Sequence, residues 1–348
     1  MNKISSRQLF TLLIGVRMFS IICSVQPSDA QQMAGAALSV VLQILAVLPM
    51  TALYRQDDFS LKKEMLMGNF GRILYILFFI VWGAVSFSNL WGVTKSVYFP
   101  IDSSITGSVI LAAVCVYTAS LGIKSVSRYS AVMFGLIVFS LLIMFAGAYP
   151  KAQLANFAPI VNFSAVLKNA LRDFSMSGEL VMMFVLMEFI PSDRTESVMH
   201  FFTGKLILTE FVAAIEITVL GKIMNISDYP FFSAGAFSQP FSIQRADSLY
   251  MIIFTMLCVM TVTLQIILSA YMIKELLPDM KYSCLLSAAL MLGLSSAVNI
   301  LGLDLVPLTG ILILLLAVII PVIMYIKRRF AKGECKKNNC GTAASADA

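Results

Sequence analysis

The residues best placed to do chemistry in this chain are few, because so much of it is apolar. Glu179 is the most pointed of them. It follows Phe174-Ser175-Met176-Ser177-Gly178 and opens an almost wholly apolar run that ends at Ile190. A carboxylate at membrane depth costs about 2.5–3.5 kcal/mol on insertion scales and marks a pathway or a site. Arg17 stands in a comparable place, inside Leu13-Ile14-Gly15-Val16-Arg17-Met18-Phe19. Three roles are open to it: gripping a solute carboxylate with both arms of its fork, pairing permanently with Glu179, or reaching sideways to an interface if the helix sits shifted. Glu179 and Glu210 are candidates for a proton or ion relay. For Glu210 the plainer reading is an interior acid bonded to Thr209 or Thr218. Asn89 and Gln265 read as hydrogen-bond partners between helices, Glu188 as an end-of-helix acid, and the lone His200 as a boundary residue.

The chain has 348 residues, 59% of them hydrophobic and 13% charged, with a mean hydropathy of +0.87. Soluble domains hold about 25% charged residues. The expected fold is therefore an all-α polytopic membrane protein of about ten transmembrane helices, since each crossing needs about 20 residues. The expected spans are 8–25, 35–54, 71–94, 105–123, 129–149, a broken 162–191, 201–221, 247–273, 283–300 and 307–326. One bundle then covers 1–326, and 327–348 is a basic tail. Arg17 interrupts the first apolar run, so 1–30 reads as a retained span and not as a cleaved leader.

The net charge of +6 does not form a nucleic-acid patch. Lys and Arg, Lys205 among them, fall mostly in alternate loops, which places both termini in the cytoplasm. No His-Glu-x-x-His pair, Gly-x-Ser-x-Gly elbow or Cys–His constellation occurs, so neither an enzyme nor a metal or other cofactor is expected. Cys335 and Cys340 share the polar tail with no His or further Cys nearby.

The segment 162–191 reads as two half-helices around a polar break. Irregular backbone at that depth is tolerated where it lines a cavity. Gly15 and Arg17 suggest a matching break in the first span. Interrupted helices at corresponding places in two halves are the pointer to a 5+5 inverted repeat, here about 8–149 and 162–326, with helices 1 and 6 discontinuous. Candidate ligand-binding residues are then Gly15, Arg17, Ser177, Gly178 and Glu179.

Three stretches carry a family resemblance. They are Ile4-Ser5-Ser6-Arg7-Gln8-Leu9-Phe10, then Phe174-Ser175-Met176-Ser177-Gly178-Glu179, and Tyr229-Pro230-Phe231-Phe232 followed by Ile243-Gln244-Arg245-Ala246-Asp247-Ser248-Leu249. In their order and spacing the chain resembles the B subunits of spore germinant receptors, within the amino acid–polyamine–organocation transporter superfamily. The resemblance implies a central solute site between discontinuous helices 1 and 6, lined here by Gly15 and by Ser177-Gly178-Glu179. It implies residence in the inner membrane of a spore, an A subunit and a lipoprotein C subunit as partners, and sensing of a nutrient such as an amino acid. The family's Gly-x-Gly in the first helix is replaced by bulky, cationic Val16-Arg17-Met18-Phe19. Arg17 would fill the place of a bound cation or of a ligand's ammonium group, which points to an anionic ligand or a degenerate pocket. A proton-coupled transporter of amino acids or related solutes, working through Glu179 or Glu210, is the other function the same features serve.

Overall fold

A computed structural model describes residues 3–23, 30–55, 59, 61, 69–98, 104–157, 162–190, 194–238 and 247–330. Arg245, the first residue of the Arg-x-Asp-x-Leu stretch, and the cysteines of the tail lie outside these residues. The described chain is helical, with no strand. Its helices are α1 Ser6–Cys23, α2 Ala30–Tyr54, α3 Asn69–Val93 continued by a π turn, α4 Ser104–Ser120, α5 Ile123–Ala148, α6 Phe163–Ser175, α7 Glu179–Leu186, α8 Arg194–Leu220, α9 Pro230–Ser238, α10 Asp247–Leu276, α11 Ser283–Leu301 and α12 from Val306.

Among the described residues seven helices are long and apolar enough to cross a membrane. The other expected spans take different forms. Helix α4 is apolar but short. The sixth is divided into α6 and α7, and α8 is long but carries Lys205, Glu210 and Glu216. Helix α12 runs on to Phe330, past the expected end at 326, so Lys327, Arg328 and Arg329 stand on its last turn. Cations there complement the negative end of the helix. Between the seventh and eighth expected spans stands α9, whose Phe231 and Phe232 are buried. Phe231 packs edge-on against Tyr250, and Phe232 does so against Phe254. Gln265 of α10 donates to Ser86 Oγ of α3 at 3.0 Å, the kind of bond between helices expected of it.

The expected break in the first helix is absent. α1 is a continuous α-helix of 18 residues. It opens with a reciprocal cap: Ser5 N–H donates to Gln8 Oε1 at 3.0 Å, and Gln8 N–H donates to Ser5 Oγ at 3.3 Å. Gly15 serves packing instead of a break. A Cβ there would lie 2.2 Å from Cε of Met260 on α10. A glycine allows close approach as well as irregular backbone, and here the first applies.

The sixth helix does break. In α6 the Asn162 side chain caps the start by accepting from Ser164 N–H at 2.9 Å. At the other end Ser177 Oγ donates to the Asp173 carbonyl at 2.8 Å. That carbonyl is the one a continuing α-helix would offer to the Ser177 N–H, which instead reaches Phe174 O at 3.1 Å. A serine competing with its own backbone in this way favours helix ends. Gly178 follows, and Trp82 of α3 lies over it, 2.6–2.9 Å from where a Cβ would be. Helix α7 then restarts at Glu179 and is buried on all sides.

These contacts rank two glycine substitutions. Gly178→Ala forces a methyl into the Trp82 ring and should lower the stability of the purified protein by about 1–3 kcal/mol. Gly15→Ala meets only the flexible end of Met260 and should cost less. Unfolding in detergent checks the order, and Trp82→Phe should relieve the Gly178→Ala loss; no relief would refute the packing role of Gly178.

Candidate functional site

Two cations and two carboxylates meet at the break. Arg17, from the middle of α1, is 2% exposed and donates through Nη2 to Asp173 Oδ1 in the last turn of α6. Its Nη1 lies 3.8 Å from Glu179 Oε1, the first residue of α7. Lys205 of α8 is fully buried, and its ammonium has three acceptors: Glu179 Oε1 at 2.6 Å, Gln43 Oε1 at 2.5 Å and Ser177 Oγ at 2.9 Å. Three is all that an ammonium can donate.

Gln43 of α2 completes the network. Its Nε2 donates to Ser39 Oγ at 2.8 Å and Ser177 Oγ at 2.9 Å, with Asp173 Oδ2 at 3.4 Å. The cluster thus joins α1, α2 and α8 to both sides of the break. Its formal charge is zero. Burying an ion costs several kcal/mol even after relaxation, and breaking a buried pair costs about 3–5 kcal/mol. Two polar atoms inside the cluster have no hydrogen-bond partner, Arg17 Nε and Glu179 Oε2.

The structure brings together three residues expected at the site, Arg17, Ser177 and Glu179. Arg17 and Glu179 do approach, but Asp173 is the closer partner of Arg17. The interface reading of Arg17 is overturned by its burial. Gly15 and Gly178 lie nearby in sequence but face Met260 and Trp82. Glu210, five residues beyond Lys205 on α8, has its Oε1 buried without a partner. It is not bonded to a threonine as the plainer reading held. Thr209 Oγ1 also lacks a partner, and Thr218 Oγ1 turns to the Ala214 and Ile215 carbonyls. Adjacent residues on a helix do not face each other, which separates Glu210 from Thr209.

Sequence reasoning missed Asp173, Lys205 and Ser39, and it assigned no role to Gln43. Lys205 had been counted with the loops, yet it is five residues into an apolar span. Asp173 sits four residues before Ser177, one helical turn, and that spacing was the available signal.

A family model described as spore germination protein matches residues 3–301. A search of curated proteins by sequence gave no match. Among solved structures, the fold is similar to that of Mhp1, a nucleobase-cation-symport-1 family transporter solved in a closed conformation with bromovinylhydantoin bound. The two share 17% identity and a TM-score of 0.50, covering 90% of this chain and 78% of that one. At this identity the likeness is one of fold.

The network makes a definite statement about stability. Lys205→Met leaves Glu179 with only the more distant Arg17 and should cost about 3–5 kcal/mol. Lys205→Met combined with Glu179→Gln removes one charge of each sign and should recover much of that loss. A double-mutant cycle on unfolding in detergent measures the coupling; strictly additive losses would show that the pair does not interact.

Proposed function

This chain belongs to the spore germination protein family, and we propose that it is the nutrient-sensing subunit of a spore germinant receptor. The observation that carries the reading is the neutral charge cluster closed around the helix break, with Arg17 Nε and Glu179 Oε2 left unpaired. A small solute such as an amino acid would enter this site. Its carboxylate would compete for Arg17 and its donor group for Glu179, with Ser177 within the same network, while Gly15 and Gly178 serve the packing of α1 on Met260 and of the break on Trp82. A solute that takes over these bonds would release α1, α2 and α8 from the break together. A solute shifts the bundle between packings only by binding one of them better.

The protein is an integral membrane protein. In this reading it lies in the inner membrane of the spore with both termini in the cytoplasm and passes the change in packing to an A subunit and a lipoprotein C subunit. It performs no covalent chemistry. Lys205 Nζ bonds Glu179 Oε1 at 2.6 Å, so protonating this acid would leave a buried ammonium without its counter-charge, and this favours sensing over transport.

A second reading, a proton-coupled transporter of amino acids or related solutes, is favoured by Glu210. Its Oε1 is buried without a hydrogen-bond partner, on the same helix as Lys205, and an acid in that state is able to pick up a proton.

Germination of spores carrying point variants tests the two. Loss of one charge-assisted hydrogen bond is worth about 1.5–3 kcal/mol, so Arg17→Gln and Glu179→Gln should raise the half-saturating nutrient concentration roughly 10- to 100-fold. Protein level is followed by immunoblot, and Glu210→Gln should respond as the parent does. Wild-type responses from both site variants would overturn the sensor site. Uptake of the nutrient into vesicles that collapses with the pH gradient and with Glu210→Gln would establish the transporter instead.

A further inference from the structure

At one end of the bundle, away from the charge cluster, a groove with a volume of about 600 Å³ opens between α4, α5, α10 and α11. That is the size range of sites that hold small organic molecules. The charged side chains lining it are Lys274, on the last turn of α10, and Lys281, in the turn before α11. Both are exposed, and among the described residues neither forms an ion pair. Glu275 and Asp279 flank the groove in sequence but do not line it.

Two helix starts add to this positive field. Gly122 lines the groove at the start of α5, where its φ of 85° turns the chain into the helix, and Tyr282 lines it at the start of α11. Neither start is capped by a side chain. The first N–H groups of a helix have no partner within it, and they favour an anion.

The walls are of the opposite character. Ile267 and Leu285 line the groove, and Leu285 is 56% exposed. Val116, Ala119, Ile123 and Ala270 line it as well, which makes the wall between the lysines apolar. A free anion or an acidic peptide has no use for such walls. A molecule with an anionic head and a hydrocarbon chain matches both parts. The groove also lies at the ends of membrane helices, where such a head would be found, and Tyr282, 74% exposed, is the aromatic type that settles at headgroup level.

We propose that this groove binds an anionic phospholipid, its phosphate held by Lys274, Lys281 and the starts of α5 and α11 and its acyl chain lying against Ile267 and Leu285. Basic pockets between membrane helices draw anionic headgroups, with each cation near the surface contributing independently. The site is separate from the break and does not depend on the sensing role.

The test uses the full chain, purified in detergent and offered equal amounts of phosphatidylglycerol and phosphatidylcholine, with the lipids retained counted by native mass spectrometry. Wild-type protein should prefer phosphatidylglycerol by about tenfold or more, the effect of two cations. Lys274→Gln with Lys281→Gln should bring the preference near parity, while Lys95→Gln with Lys168→Gln should leave it in place. These lysines are exposed, so the folded state should survive, and a melting curve for each variant verifies it. The proposal is overturned if the first double variant keeps the wild-type preference. It is equally overturned if millimolar inorganic phosphate displaces the lipid and stabilises the protein as much, since the groove would then be a phosphate site.

Discussion

Charge buried at membrane depth has to be neutralised by other charge, and this constraint organises the centre of the protein. Arg17, Asp173, Glu179 and Lys205 come from four helices and leave no net charge among them. None of the four is tolerable alone in a medium that screens so poorly. Helices α1 and α8 therefore stand where their cations reach both sides of the break, and α2 stands where Gln43 bridges them. The close approach of α2 to α6 follows from the same need. A Cβ on Gly35 would lie 2.7 Å from Cβ of Asn169, so only glycine lets these helices come near enough.

The break and its carboxylate were legible in the sequence because both are local. Ser177 and Gly178 carry their own reasons for ending a helix, and Glu179 is out of place in an apolar run. Gly15 was legible only as a glycine. Whether it interrupts a helix or admits a neighbour depends on Met260, 245 positions away in the chain. Lys205 and Asp173 were hidden for a related reason. A lysine near the end of an apolar segment has the same sequence whether it points to water or to a buried acid. Only the three acceptors gathered from α2, the break and α7 distinguish the two. The family resemblance pointed to the break as the place of a solute site, but it did not point to Lys205 or Asp173.

The same cluster explains how a small solute would act on a large bundle. All three protons of the Lys205 ammonium are committed, and Ser177 Oγ gives one bond and receives two. Such a network does not deform gradually. A solute group that displaces one member leaves another buried and unpaired, so the arrangement changes as a set or not at all. Packed interiors likewise favour discrete alternatives over continuous strain.

Helix α7 is the element able to carry that change outward. Its first residue is Glu179, and its eight residues span about 12 Å at 1.5 Å each. Every one of them is buried, so the helix cannot tilt without moving its neighbours. Tyr54 of α2 donates to its Phe184 carbonyl at 2.7 Å, and the turn beyond it accepts from Ile4 N–H through Phe189 O at 3.1 Å. Ile4 directly precedes the cap of α1, the helix that holds Arg17. The charge cluster and the N-terminal end of the chain are thus joined twice, through α1 and through α7. A displacement of Glu179 relative to Arg17 has to be taken up where these two paths meet, at Ile4 and Phe189, where α1 begins and the segment carrying α7 ends. In the proposed receptor, that junction is where exchange of partners in the cluster would become a change of shape at the end of the bundle.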